Sequence, residues 1–410
     1  MAPRPAVSHG ALRSIGVVLA ATASLGAQAA NADTSQSIDV SVSGSAGTNP
    51  YFNTTDGGWR AAATVSVDPR LSAGDEVTSV VLTGDFRLRQ YTGQYGTDDS
   101  VAVGAAAQTR LSERSVLSGG LNLMSSRSGA LDVLQIAPAQ PPDQSSQLAP
   151  DVVPPDISAV GQGTRVTRYF AHAGFQDTLS ETSQIDVGLS GGYTSSDRSA
   201  GQNYAQLDLT IDYDRTLNPR TSFLTTLTIG GSDYSAQVFR DARYVTPLVG
   251  IKSNLNENTS VTVQGGATLT HFVGGGDRVD AAANVNLCRD WLRSTLCAVL
   301  SRRSAPTAYE GVSTYDTAGL SYSLQTGEND RLALSANYGR TRSLEPGLAV
   351  ARSTTVFGAS ADYSHELGKR TVAFIRPSVA FDRSSALANS STRSSVQLEL
   401  GIRQHFGDLR

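Results

Sequence analysis

Beyond its first 32 residues the chain alternates apolar and polar positions one by one, over runs of ten residues or so. In IDVGLSGGY, Ile185, Val187, Leu189, Gly191 and Tyr193 share one face, while Asp186, Gly188, Ser190 and Gly192 share the other. AQLDLTIDY repeats the pattern, with Ala205, Leu207, Leu209, Ile211 and Tyr213 set against Gln206, Asp208, Thr210 and Asp212. So does SVQLELGIRQHF, where Val396, Leu398, Leu400, Ile402 and Phe406 oppose Gln397, Glu399, Gly401, Arg403 and His405. Side chains of an extended chain point alternately to opposite sides, so each run predicts a β-strand with one apolar and one polar face. No run after the first 32 residues shows a convincing helical period.

The runs are punctuated by a leucine followed by turn-forming residues: RLSAGD at Leu71, RLSERS at Leu111, TLSETS at Leu179, RTLNPRTSF at Leu217, NLNENTS at Leu255, WLRSTL at Leu292 and ELGKRT at Leu367. Leu179, Leu217, Leu255 and Leu292 are 38, 38 and 37 residues apart, and Leu71 and Leu111 are 40 apart. Each interval accommodates two strands of about a dozen residues, a variable loop and a short turn. The 68 residues from Leu111 to Leu179 hold one hairpin and a single insertion, 128–163, and the 75 from Leu292 to Leu367 hold two hairpins. Eighteen strands result, among them 36–45, 58–68, 238–252 and 393–406, with short similar turns alternating with longer dissimilar loops.

A fixed hairpin period predicts an all-β fold: a transmembrane up-and-down antiparallel β-barrel of about 18 strands, occupying residues 33–410 as one domain. Closure follows from the solvent, because hydrocarbon offers no partner to an open strand edge. A secreted sandwich or repeat adhesin would alternate too, but sandwich strands usually run to about five or six residues. The last strand carries Phe406 near its end, which resembles the C-terminal strand signal of outer-membrane proteins, with GDLR following the aromatic.

Composition narrows the function. The formal charge is −4, 17% of residues are charged, and the 33 basic residues are 31 Arg with Lys252 and Lys369, so nothing is basic enough for nucleic acid. Arg4 and Arg13, the apolar run Ile15–Ala27 and the small-residue sites AQA and ANA predict a secretory signal over residues 1–32. The run is shorter than the roughly 20 residues of a spanning helix. Losing Arg4 and Arg13 with it lowers the formal charge from −4 to −6. The expected location is the bacterial outer membrane, with its lipids as the surrounding partner.

Cys288 and Cys297 flank a hairpin tip at Leu292 and Arg293, which sets them opposite one another on one face; in an oxidising compartment that spacing suits a disulfide. Residues 128–163 contain six of the 15 prolines and the aspartates Asp132, Asp143, Asp151 and Asp156, with no basic residue between Arg127 and Arg165. Prolines exclude a ladder strand there, and strand parity places the segment outside as the third outer loop. Two readings stand: an acidic constriction or lid in the lumen, or a disordered surface loop. The polar phase of the strands offers Asp85, Arg87, Arg89, Arg110, Arg168, His172, Asp186, Asp208, Asp212, Asp280, Glu399 and Arg403 as lumen-lining groups. The histidines His172, His271, His365 and His405 sit on strands or at their ends, and no nucleophile elbow or metal-binding helix motif accompanies them. The chain therefore reads as a non-enzyme, with no cofactor and no metal.

The stretch VSGSAGTNPYFNTTDGGW (Val42–Trp59), with the Asn49-Pro50-Tyr51 turn, followed by DPRLSAGDEV and LSERSVLSGGLNL, resembles the β-barrel porins found with exopolysaccharide and surface-polysaccharide loci. The likeness runs over nearly the whole chain after the signal. It implies an outer-membrane barrel, in some members a passive conduit for a secreted polysaccharide cargo beside a periplasmic polysaccharide-export protein. The alternative expectation is a general or solute-selective diffusion porin, and a third is a plugged structural or adhesive surface barrel.

Overall fold

The computed structural model describes residues 33–52, 58–93, 95–136, 155–160, 163–197, 203–235, 240–344, 353–384 and 391–408. The signal expected over 1–32 lies outside the described residues, as do Asp143 and Asp151.

The chain forms eighteen antiparallel strands. The first six are β1 (Asp33–Thr48), β2 (Trp59–Gly74), β3 (Thr78–Tyr91), β4 (Thr97–Arg110), β5 (Ser115–Arg127) and β6 (Arg165–Ser180). Next come β7 (Ser183–Ser196), β8 (Tyr204–Asn218), β9 (Thr221–Tyr234), β10 (Ala242–Asn256), β11 (Thr259–Phe272) and β12 (Gly276–Trp291). The last are β13 (Ser294–Thr307), β14 (Gly311–Gln325), β15 (Asp330–Ser343), β16 (Ser353–Gly368), β17 (Thr371–Ser384) and β18 (Ser391–Gly407). Each pairs with its sequence neighbour, and β18 pairs with β1, so the sheet closes as an up-and-down barrel with no free edge. Both described ends of the barrel chain lie at one rim with the short turns (the turn end); the longer connections lie at the other (the loop end).

At the seam the ladder from Ser37↔Gly407 to Gly47↔Gln397 continues through Asp408. Its N–H reaches the Gln36 carbonyl at 3.0 Å and its Oδ2 accepts the Gln36 N–H at 3.0 Å. His405 Nδ1 lies 2.8 Å from Asp39 Oδ1 beside it. The residues after Phe406 thus clasp the first strand.

The repeated leucine has a geometric cause. Ladder register shifts between Thr178 and Ser180, Thr216 and Asn218, Asn254 and Asn256, and Glu366 and Gly368. In each case the extra residue is the leucine: Leu179, Leu217, Leu255 or Leu367. A bulge beside a two-residue turn re-aims that side chain, and all four project outward at 51–60% exposure. Leu292 differs, since Trp291 pairs directly with Ser294 and Leu292 forms the tip itself.

Two strand ends depart from the sequence expectation. β2 runs to Gly74 rather than 68, because the real turn is closed further on by Asp75, whose Oδ1 accepts the N–H groups of Val77 at 2.8 Å and Thr78 at 2.6 Å. The described part of β10 starts at Ala242, just after Asp241, whose Oδ1 takes the Tyr234 N–H at 2.8 Å; positions 238 and 239 of the expected strand lie outside the described residues. Cys288 and Cys297 face each other across β12 and β13, with Cα atoms 4.2 Å apart, and are disulfide-bonded.

The alternation sorts the wall into two surfaces. Leu121, Leu189, Leu207, Ile229, Val263, Leu300, Leu320, Phe357 and Leu400 lie on the outside and are 40–64% exposed. The opposite phase faces the lumen. Its buried apolar side chains gather near the loop end, where Phe52, Val133, Ile136, Ile157 and Val160 pack against Tyr315, Val356 and Ala380.

Candidate functional site

The described parts of the connection between β5 and β6, 128–136 and 155–160, lie inside the barrel. Its first described part is a single helical turn, α1 (Ala130–Val133), started by Gly129, whose N–H donates to Asp132 Oδ2 at 3.0 Å. Its last is a 3-10 turn, Ile157–Ala159, capped by Asp156. Both press on the far wall rather than on the flanking strands. An ideal Cβ on Gly339 of β15 would collide with Ile157 Cδ1 and lie 3.2 Å from Ile136 Cγ2; one on Gly358 of β16 would lie 2.9 Å from Leu134 Cδ2 and 3.0 Å from Val133 Cγ1. The two glycines are therefore hollows in the lumen wall that receive the apolar knobs of the loop, a close approach only glycine allows.

Hydrogen bonds fix the seat. Tyr315 Oη donates to the Pro155 carbonyl at 2.6 Å and accepts the Ile157 N–H at 3.2 Å. Asn337 Nδ2 donates to the Leu134 carbonyl at 2.8 Å. Asp156 accepts from Ser158 N and Oγ through Oδ1, at 2.9 and 2.7 Å, and from the Ala308 N–H through Oδ2 at 2.7 Å. On the near side, the Ala130 N–H donates to the Pro50 carbonyl at 2.9 Å, and Arg393 Nη1 donates to the Phe52 carbonyl at 3.0 Å. Beside this, Tyr51, Tyr91 and Tyr95 form an edge-on trio with centroids 5.5–5.9 Å apart, and the Arg127 guanidinium lies 4.7 Å over Tyr51.

Of the four aspartates expected to make an acidic constriction, the two that are described act as caps and clamps of the loop. Partial burial raises the Asp132 carboxyl above its ordinary 3.8, with the Gly129 N–H, Arg168 and Ser128 acting the other way and Asp98 adding to the rise. A raised carboxyl holds its proton more tightly when the loop is seated. Seating is thus favoured below the ordinary value and weakens as pH rises through the raised one. Hydrogen exchange at Ala130 and Ile157, whose N–H groups are bonded in the seat, is expected to show more opening at pH 7 than at pH 4 once corrected for intrinsic rate, and Asp132→Asn should remove the difference.

The twelve expected lumen groups all fall in the inward phase, at different depths. Asp85 and Arg87 pair at 3.2 Å. Arg89 is buried, donating to Thr64 Oγ1 at 3.0 Å and Tyr91 Oη at 3.2 Å, and Arg168 is buried near the loop end. Glu399 is also buried, accepting from Ser43 Oγ at 2.6 Å, and Asp280 lies 3.8 Å from Arg278. Arg110 is exposed at the turn end, and Arg403 helps line a cavity of about 710 Å³ there with Arg331, Asp362 and Phe374. His172 packs near Phe170, ring to ring at 6.3 Å. Asp186 and Asp212 face each other across β7 and β8.

Asp208 accepts from Tyr244 Oη at 2.5 Å, and Asp212 accepts from Thr226. Thr226 in turn receives Gln264 Nε2 at 3.0 Å, and Gln264 receives Asn284 Nδ2 at 3.5 Å. This amide and hydroxyl ladder crosses the wall from β8 to β12. Among the described residues, no group of three or more His, Cys, Asp or Glu is placed to hold a metal ion. Three histidines sit against aspartates: His271 on Asp277, His365 on Asp330 and His405 on Asp39.

Sequence reasoning named the loop but not its receptor. Gly339, Gly358, Tyr315 and Asn337 look like ordinary strand residues. The available signal was the apolar residues Leu131, Val133, Ile136, Ile157 and Val160, which cluster at the two ends of an otherwise Pro- and Gln-rich segment.

No family model and no curated protein matches the chain. Among solved structures it is similar to Pseudomonas aeruginosa OpdQ, with 8% identity and a TM-score of 0.46 over 92% of this chain and 98% of that one. It is also similar to Pseudomonas aeruginosa OccK5 (OpdH), with 12% identity and a TM-score of 0.45 over 91% and 98%. The FrpB iron transporter from Neisseria meningitidis gives 8% identity and 0.43 over 91% and 82%. At such identity and score the likeness is one of barrel form and extends no further.

Proposed function

We propose that the chain is an outer-membrane channel with its turn end in the periplasm and its loop end outside, through which polar solutes diffuse passively. A closed ladder satisfies every strand edge, as hydrocarbon demands, and the outward phase is apolar over a band several side chains tall. Eighteen strands are enough to enclose water. The observation that carries the finer reading is the seat of Ile157 and Val133 in the hollows at Gly339 and Gly358: the loop narrows the outer mouth, which suits small polar solutes.

A second reading, the polysaccharide conduit, is favoured by the uncharged ladder of Thr226, Gln264 and Asn284, whose amides and hydroxyls match the donors and acceptors of a sugar chain. It requires the loop to leave its seat during passage. Planar-bilayer conductance of the purified barrel tests the channel itself; an electrically silent barrel would leave the plugged structural reading. Deleting the gene then separates the two cargoes. Lost solute uptake with normal surface polysaccharide supports the porin, and lost polysaccharide supports the conduit.

A further inference from the structure

The outer wall at the loop end carries a polar row over five consecutive strands, charged on all but β16. Arg302 of β13 pairs in register with Asp316 of β14, Asp316 with Arg340 of β15, Arg340 with Thr355 of β16, and Thr355 with Arg383 of β17. Arg342 lies two residues beyond Arg340, on the same face and nearer the rim. With strands about 4.8 Å apart, the row is roughly 19 Å long.

Two features point to a ligand. The first is charge. Elsewhere on the outer wall at this end, several described charges are matched one to one: Asp99 with Arg165 at 2.7 Å, Asp233 with Arg243 at 2.8 Å and His271 with Asp277 at 2.6 Å. Here, among the described residues, four arginines share one acid, Asp316, which Arg302 approaches at 3.5 Å. The Nε of Arg340 is buried without a hydrogen-bond partner. The second is position. The next row toward the turn end is Leu300, Ala318, Tyr338, Phe357 and Phe381, apolar throughout, with the two phenylalanine rings 6.2 Å apart. Cationic groups directly above an outward aromatic row sit at the level of lipid headgroups.

Resting on the outer-membrane reading above, we propose that Arg302, Arg340, Arg342 and Arg383 bind the phosphate groups of a phosphorylated lipid of the outer leaflet. The guanidinium forks supply paired N–H donors to phosphate oxygens, and the aromatic row beneath packs against the acyl chains.

The test uses the intact barrel in neutral detergent, with a bis-phosphorylated glucosamine-disaccharide lipid, its dephosphorylated counterpart and inorganic phosphate as probes, and bound lipid read by native mass spectrometry. The wild type should retain the phosphorylated lipid. Arg340→Gln/Arg342→Gln/Arg383→Gln should bind it about 100-fold more weakly, and Arg383→Gln alone, at the rim and least disturbing to folding, about tenfold more weakly. Arg165→Gln, from a paired site, should leave binding unchanged. Equal retention by wild type and variants, equal binding of the dephosphorylated lipid, or displacement by millimolar inorganic phosphate would each overturn the site. A variant that still conducts but no longer holds lipid keeps this outcome separate from the channel reading.

Discussion

Single-channel conductance is expected to rise about threefold when Gly339 and Gly358 are both replaced by leucine, because an eighteen-strand lumen freed of its inward loop is wide enough for bulk water. The wall has no space for the new side chains while the loop is in place: even a Cβ at Gly339 would collide with Ile157, and one at Gly358 would meet Leu134 and Val133 at 2.9 and 3.0 Å. The loop is the softer partner. Its hold consists of a few buried apolar side chains, each contributing about 1.5–3 kcal/mol, and a handful of hydrogen bonds, whereas β15 and β16 are paired on both sides, with unbroken register around Gly339 and Gly358. Gly188 is the control. It also faces the lumen, but a Cβ there would meet nothing within 4 Å, so Gly188→Leu should conduct like the wild type. Unchanged conductance in the double variant, with its heat-modifiable migration intact, would show that the loop does not limit flow.

The barrel was legible, whereas the inward loop was only one of two readings and its seat was not legible, for a physical reason. Alternation is a local property, so IDVGLSGGY declares a two-faced strand whatever surrounds it, and spacing between leucines counts hairpins. Phase also sorts inward from outward residues. It says nothing of depth: Arg89, Arg168 and Glu399 share the inward phase with Arg403, yet they are buried, Arg89 against Tyr91 and Glu399 against Ser43, while Arg403 remains exposed. The loop's seat joins Ile157 to Gly339 across 182 residues, and a glycine in a strand carries no mark of what it receives. Even the leucine punctuation was readable only in part. Its period gave the hairpins, but that Leu179, Leu217, Leu255 and Leu367 are the unpaired residues of bulges is a property of the ladder.

Leu189→Arg is expected to destabilise the barrel in lipid vesicles by about 2–4 kcal/mol, and Ser190→Arg, its immediate neighbour, by less than about 1 kcal/mol. The two residues lie in the middle of β7 and make opposite contacts. Leu189 is 48% exposed on the outer face, between Ala173 and Leu209. Ser190 points inward, facing His172 on one side and Asp208 on the other, where an arginine stays hydrated beside an acid. The exposure of Leu189 is what makes the pair decisive. On a protein surrounded by water, a charged residue at a half-exposed site changes stability by no more than about 0.5 kcal/mol, and both substitutions would be mild. Only hydrocarbon at the outer face makes the first severe and leaves the second small. Urea unfolding of the vesicle-inserted protein measures both, and equal midpoints for the two variants would remove the membrane from outside the barrel, together with the channel reading that depends on it.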